Sequence, residues 1–506
     1  MKKLGIIDIG SNSVRMVVLH IKPDGSFRLI DEVKETLRLG ERNGDSRNLQ
    51  PEKMRTAIET LRFFKDLGEA LEVDELVATA TEAVRRAPNR EDFLKMVQEE
   101  IGIRISVLSG MQESYYDYFG AINTMVLSDC LIMDIGGAST ELILVRNREF
   151  RQSVSLPFGA ITMAEMFRLK DPLTEETRQK MRKFLYSEFA NLTWLESAGP
   201  LVGIGGSFRN LSKIDRKLKN YPLDITHNYS MTDMDVNEIF RLVSGKSAKD
   251  RTDIKGLSAD RADIFPGALA EIEALLDFTG IKSIQVSGAG LREGIGYEHM
   301  LGGREPVRDV LENSLDNLVK NFGVNERHAS NVWNLSRTLY HQLQEELGIE
   351  RNQERVLKTA ALLHDCGINV SYYDHHKHSF YTILNSRING LSHKELVMAA
   401  MVAAMHRKDE MKLTAPFKSL LDRKEYNTVR QLGIMVRIAE SLDRRQNGNV
   451  IGIESQIAAK TVTLRIQAWI SPGLEINDAK SIAGTFARTF GKQLQIQESE
   501  EVDSVE

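Results

Sequence analysis

Cysteine is nearly absent. Cys130 and Cys366 are the only two in 506 residues, which excludes a disulfide framework and a cysteine-ligated zinc site. No uncharged apolar run is long enough to cross a bilayer, and the first residues read as a strand rather than a signal peptide. The expectation is a cytoplasmic protein without a membrane partner. Positive charge is not in excess either: the formal net charge is −5. Any polyanion must therefore meet a local patch, and no nucleic-acid partner is expected. Aromatics make up 7%, and Trp194, Trp333 and Trp469 are widely spaced. They read as core, not as a platform for stacking bases. The two common nucleotide signatures, Gly-x-x-x-x-Gly-Lys-Ser/Thr and Gly-x-Gly-x-x-Gly in a dinucleotide-binding context, are missing. What remains is an ordinary globular composition, 42% hydrophobic, in a chain long enough for about three or four domains.

One stretch then stands out. Leu131-Ile132-Met133-Asp134-Ile135-Gly136-Gly137-Ala138-Ser139-Thr140-Glu141-Leu142 reads as a buried strand, a glycine turn and a departing strand. Ile7-Asp8-Ile9-Gly10-Ser11-Asn12-Ser13-Val14 repeats the layout near the N-terminus. Both copies read Asp-Ile-Gly-x-x-Ser followed by an apolar strand, which implies a duplicated domain with a cleft between the halves. Glycine lets the backbone approach a ligand and turn its N–H groups toward an anion. The segments Gly10–Ser13 and Gly136–Ser139 are thus expected to hold phosphate oxygens. Asp134 and Glu141, helped by Asp8, are expected to hold Mg²⁺, which prefers few carboxylates plus phosphate oxygens. Tight structural hairpins are the plain alternative.

The surrounding pattern alternates strand and helix. Pro51 predicts a helix of about 17 residues. A helix is expected over 89–101, another from Met111 after Ser109-Gly110, and one over Ala262–Phe278. Two more glycine turns are present: Gly203-Ile204-Gly205-Gly206-Ser207, which opens a helix, and Ser287-Gly288-Ala289-Gly290, which follows a strand. Beyond Arg304 helical patterns dominate, and eight of the eleven histidines lie there. Residues 453–496 return to α/β, with a strand at Thr461–Trp469, a helix at 478–490 and a strand at Gln493–Gln497. The acidic end, Glu498–Glu506, is expected to be disordered.

The set Asp8-Ile-Gly-Ser-Asn-Ser13, Arg38, Arg85, Ser109-Gly-Met-Gln-Glu113, Asp134-Ile-Gly-Gly-Ala-Ser-Thr-Glu141, Gly205-Gly-Ser207 and Ser287-Gly-Ala-Gly-Leu-Arg-Glu-Gly294 resembles the exopolyphosphatase/guanosine pentaphosphate phosphohydrolase (Ppx/GppA) family. The resemblance implies an α/β fold of duplicated actin-like (ASKHA, ribonuclease H-like) domains, then an all-α HD-like domain and a small α/β domain. The expected divisions are 1–124, 125–303, 304–452 and 453–506 with its acidic tail. The resemblance also implies Glu113 as the carboxylate that activates water, and Arg38 and Arg85 as phosphate clamps, since a guanidinium matches two phosphate oxygens. Gly205, Gly206 and Ser207 would meet a further phosphate or ribose. Two departures from the family pattern are Gln112, where a first Glu is usual, and Ala138, where a third glycine is usual. Implied cofactors are Mg²⁺ or Mn²⁺, with a monovalent cation as a further candidate, and the implied assembly is a homodimer.

The order His328, His364-Asp365, Asp443 resembles an HD-domain metal set, implying a second divalent metal. His376, His378 and His406 offer extra ligands, and the alternative is a degenerate site whose polar groups bond one another. Basic residues Arg407, Lys408, Lys412, Lys418, Arg423, Lys424, Arg444 and Arg445 form either ordinary surface charge or a track for a long polyanion. The leading expectation is an exopolyphosphatase that releases orthophosphate from inorganic polyphosphate. The first alternative is hydrolysis of guanosine pentaphosphate to the tetraphosphate. A kinase on the same fold and a non-catalytic alarmone sensor complete the set.

Overall fold

The computed structural model describes all residues except 42–47, 198, 304, 409–413 and 500–506. Arg304, Lys412 and most of the acidic end therefore lie outside the described residues. The chain forms two compact units, Met1–Val310 and Leu311–Glu506.

The first unit holds two sheets built on one plan. In the first, β1 (Lys2–Ile9), β2 (Ser13–Ile21), β3 (Phe27–Thr36), β4 (Glu75–Ala80) and β5 (Ile105–Val107) line up as β3-β2-β1-β4-β5. In the second, the strands are β6 (Cys130–Ile135), β7 (Thr140–Arg146), β8 (Glu149–Leu156), β9 (Leu201–Ile204), β10 (Tyr229–Thr232) and β11 (Ser283–Val286). Their order is β10-β11-β9-β6-β7-β8. An antiparallel meander, β1-β2-β3 or β6-β7-β8, continues into parallel strands, β4-β5 or β9-β11. Antiparallel β10 is the addition in the second copy. The central strands are covered on both faces, so they read as continuous apolar runs: Leu131, Ile132 and Met133 are fully buried, as are Leu4, Ile6 and Ile7. The outer strands β3 and β8 carry charge instead, with Glu32, Lys34, Glu149 and Arg151, which discourages edge pairing.

Helices start where local chemistry predicts. Pro51 occupies the first turn of a helix that runs to Ala70, longer than expected. Ser109 caps the helix Gly110–Ile122 through a reciprocal capping box with Gln112. The helix expected over Ala262–Phe278 begins instead at Phe265, with Pro266 in its first turn, after a 3-10 turn at Ala259–Arg261.

In the second unit, helices run from Val310 to Leu442 and are followed by a sheet of β12 (Val450–Ile457), β13 (Thr461–Ala468) and β14 (Gln493–Glu498) in that order. The single helix expected over 478–490 is two, Gly473–Lys480 and Ala483–Phe490. Between them, Ser481 and Ile482 donate to the carbonyls of Asp478 and Ala479, a tightening that turns Ile482 and Phe486 fully inward. Trp469 is 78% exposed, contrary to its reading as core, because β13 ends one residue before it.

Candidate active site and a second polar cluster

Both Asp-Ile-Gly hairpins reach the same cleft. Gly10 N–H donates to the Ser13 carbonyl at 3.1 Å, and Gly136 N–H donates to the Ser139 carbonyl at 2.9 Å, so the two turns close identically. They also approach one another: a Cβ at Gly137 would lie 2.9 Å from Ser11 Cβ. The cleft is lined by Asp8, Gly10 through Ser13, Glu113, Asp134, Gly136, Gly137, Ser139, Gly205 and Gly206. The third glycine turn supplies close approach to a carboxylate. Gly205 has φ +87°, and a Cβ there would sit 2.2 Å from Asp134 Oδ1, so only glycine fits. Ser207 is buried with no partner on its hydroxyl among the described residues.

Glu113 enters the cleft from the first turn of the helix Gly110–Ile122. The neighbouring Gln112 is spent on the capping box, its Oε1 accepting from Ser109 N–H at 2.9 Å. That departure from the family pattern therefore lies outside the cleft. Arg85 Nη1 donates to Glu113 Oε2 at 2.9 Å and to the Leu108 carbonyl at 2.7 Å. Burial pushes the Glu113 carboxyl up to about 7, against the pull of Arg85 and with added push from Asp134 and Asp8.

Carboxylates crowd the cleft wall and the buried layer behind it. Asp134 and Glu141 face each other across β6 and β7, and burial raises both, Asp134 to about 6. Glu141 accepts from Ser155 Oγ at 2.7 Å. Burial also raises Asp8. Asp117, one helical turn beyond Glu113, is fully buried, and no donor reaches either of its oxygens among the described residues. Burial and then the charges of Asp134, Glu141 and Glu113 push it well up. A set of inward carboxylates that cannot all ionise together is suited to a divalent cation.

Sequence reasoning missed Asp117 and the cations. Arg15, Arg209, Arg261 and Arg292 all line the cleft. Arg15 pairs with Asp8 in register across β1 and β2 as Glu141 pairs with Asp134, so aligning the repeats would have found it. Burial weakens the hold of Arg15, Arg209 and Arg261 on their protons, a state that a bound anion relieves.

Two residues expected at the cleft are placed elsewhere. Arg38 makes a two-pronged pair with Asp263, at 2.8 and 3.0 Å, and donates to the Asp260 carbonyl at 2.9 Å. Its planar fork is thus matched to a carboxylate rather than a phosphate. Ala138 lines a separate depression with Leu39, Gly40 and Glu82, so its methyl group does not narrow the cleft.

The second unit brings together most of the expected HD-like set. His328 Nδ1 lies 2.7 Å from Asp443 Oδ2, whose other oxygen accepts from Gly448 N–H at 2.9 Å. Asp443 therefore stands behind His328 rather than facing the cluster. His328 Nε2 and His364 Nε2 lie 3.9 and 3.6 Å from Asp365 Oδ2. His375 Nε2 and His406 Nε2 lie 3.3 and 3.5 Å from Asp365 Oδ1. Of the extra ligands foreseen, His406 joins the cluster while His376 and His378 do not. Their neighbour His375 does, because it occupies the first helical position of His375–Asn385. Half of the basic track is paired locally: Lys424 pairs with Glu350, Arg407 and Arg444 flank Glu440, and Arg445 reaches Glu475.

A duplicated sheet domain closing two phosphate-type turns over a carboxylate floor defines a hydrolase of phosphoric anhydrides on the actin-like fold. A Ppx/GppA phosphatase family model matches residues 17–302, and one for Ppx/GppA phosphatase domain III matches residues 310–471. The chain belongs to the Ppx/GppA phosphatase family. It is 27% identical over 475 residues, 90% of this chain and 91% of the relative, to a guanosine-5'-triphosphate,3'-diphosphate pyrophosphatase of Aeromonas hydrophila. It is 28% identical to the protein so named in Pseudoalteromonas atlantica, over 74% of each chain. The crystal structure of the Aquifex aeolicus family member is similar to 60% of this chain and 99% of its own, with 28% identity and a TM-score of 0.53. An exopolyphosphatase from Cytophaga hutchinsonii shares the fold at 24% identity and a TM-score of 0.56, over 60% of this chain and all of its own. Among the described residues, no helix is long and apolar enough to cross a membrane.

Proposed function

We propose that this chain hydrolyses the terminal 5' phosphoanhydride of guanosine 5'-triphosphate 3'-diphosphate, releasing orthophosphate. This reverses the order of preference drawn from sequence, which put polyphosphate first. The support for the guanosine substrate is the name borne by relatives that align with up to 90% of this chain.

The observation that carries the chemistry is the placing of Glu113 in one cleft with both Asp-Ile-Gly turns. The turns seat the terminal phosphate. Glu113 accepts the proton of the attacking water, and a folded-state value near 7 suits that exchange. Arg15, Arg209, Arg261 and Arg292 stabilise the charge that gathers on the leaving phosphate chain. Asp134, Glu141 and Asp8, with Asp117, are the residues that would hold Mg²⁺. When bound, the ion neutralises phosphate charge and fixes its geometry.

Hydrolysis of inorganic polyphosphate is the second reading, favoured by one observation. No aromatic side chain lines the cleft among the described residues, so a guanine has no stacking surface there.

The test is orthophosphate release with Mg²⁺ at one salt concentration from guanosine 5'-triphosphate 3'-diphosphate, long-chain polyphosphate and ATP. The guanosine substrate is expected to give the highest kcat/KM, and Glu113→Gln to lower it by about 10²–10⁴. Preference for polyphosphate would install the second reading. Tight binding without turnover would make the protein an alarmone sensor.

A further inference from the structure

Two helices hold the second glycine turn from behind. The first amides of the helix Ala160–Phe167 grip its entry: Ala160 N–H donates to the Gly136 carbonyl at 3.0 Å, and Ile161 N–H donates to the Gly137 carbonyl at 2.8 Å. A side chain holds its exit. Thr140 Oγ1 donates at 2.5 Å to Oε2 of Glu271, which sits on the helix Phe265–Thr279. The two helices approach closely, since a Cβ at Gly267 would lie 2.8 Å from Met163 Cβ. Gly267 and Glu271 are one turn apart, so that contact and the Thr140 bond fall on one helix face.

Glu271 is an unusual core residue. It is fully buried, and it is the one charged side chain among the buried residues of its helix, which include Ala268, Leu269, Ile272 and Leu275. Its Oε1 has no hydrogen-bond partner among the described residues. Burial pushes its carboxyl up to about 8, opposed by the Thr140 bond. A carboxyl with so little compensation costs stability in an apolar layer, so packing does not account for it. Its position does, because successive side chains on a strand point to opposite faces. Thr140, the first residue of β7, turns back to Glu271, while Glu141 turns to the side where Glu113 and Asp134 act on it. Fixing the Thr140 side chain therefore fixes the rotation of the strand as it leaves Ser139.

We propose that Glu271 is a positioning residue of the cleft: its bond to Thr140 sets the exit of the turn and the aim of Glu141, and so serves turnover rather than folding. This rests on the reading that the turn seats the terminal phosphate. Glu271 acts through Thr140. Protonated or not, its carboxyl keeps an oxygen that accepts from the threonine hydroxyl. A side-chain amide of the same shape can replace it, and an apolar side chain cannot.

The test is a double-mutant cycle on the full chain. The readouts are kcat for orthophosphate release, the affinity for orthophosphate in the presence of Mg²⁺, and a melting curve for each variant. Glu271→Leu and Thr140→Val should each weaken phosphate binding and lower kcat by about 10- to 100-fold. Together they should lower kcat no further, because both delete the same bond. The double variant, which leaves neither partner orphaned, should melt at or above the wild type. Glu271→Gln should retain most of the wild-type rate. Wild-type kcat and phosphate affinity in Glu271→Leu would overturn this role, as would additive losses in the double variant or a loss in Glu271→Gln as deep as in Glu271→Leu. Absence of turnover in the wild type would defeat the hydrolase reading by itself, and the phosphate affinities across the cycle would still decide the role of Glu271.

Discussion

Arg85 grips Glu113 rather than standing apart from it. Its Nη1 lies 2.9 Å from Glu113 Oε2, and its Nε and Nη2 hold Glu82 at 2.9 and 2.5 Å. The residue expected to clamp phosphate thus sets the charge and orientation of the candidate base. Replacing it with Leu should move the acidic limb of the kcat/KM profile upward by about one pH unit, because the guanidinium now opposes the effect of burial on Glu113. Glu113→Gln should abolish that limb. A pH profile for Arg85→Leu that overlays the wild type would refute the coupling.

Asp117 should matter to the metal more than to the fold. Asp117→Asn removes a carboxylate that burial and four like charges disfavour. The expected result is weaker Mg²⁺ activation, by about tenfold or more, with thermal stability of the metal-free protein equal to or above the wild type. Isothermal titration with Mg²⁺ and a melting curve decide this. Unaltered Mg²⁺ affinity would remove Asp117 from the site.

The cleft carboxylates also predict a pH-dependent stability. Glu113 rises from 4.5 to about 7 and Asp134 from 3.8 to about 6 on folding. Between those limits the folded state binds more protons than the unfolded one, so stability falls as pH rises. The contribution is intact below about pH 4 and lost above about pH 7. A divalent cation held by this cluster would need it ionised, so Mg²⁺ should raise the Tm more at pH 8 than at pH 5. Equal Mg²⁺-induced shifts at the two pH values would contradict this.

Gly205 and Gly302 separate backbone strain from collision. Both have positive φ, +87° and +61°, but a Cβ at Gly302 meets nothing within 4 Å whereas one at Gly205 meets Asp134. Gly302→Ala should cost about 1 kcal/mol in denaturant unfolding. Gly205→Ala should cost more and should also lower kcat, since it displaces Asp134.

Much of the site was legible because it is local. The two Asp-Ile-Gly hairpins each lie within a dozen residues, and the turn, the preceding carboxylate and the apolar strands need no distant partner to be recognised. The serine before Glu113 marks a helix start, which distinguishes the capping Gln112 from the inward Glu113. Arg209 and Arg261 gave no such signal, since a lone arginine on a helix or turn looks the same whether it faces solvent or phosphate, and Arg292 stood in a quoted motif without a role assigned to it.

The sequence by itself determined the family, the repeated sheet plan and the paired glycine turns, because each is written in contiguous patterns of burial and backbone freedom. Tertiary structure alone decided which charges meet. Arg38 is captured by Asp263, 225 residues away. Asp117 joins Asp134 and Glu141 from a separate helix. Asp443 turns to the back of His328 while His375 comes forward. Such pairings depend on how strands and helices stack, and electrostatic energy is set by distances and burial that no spacing along the chain records.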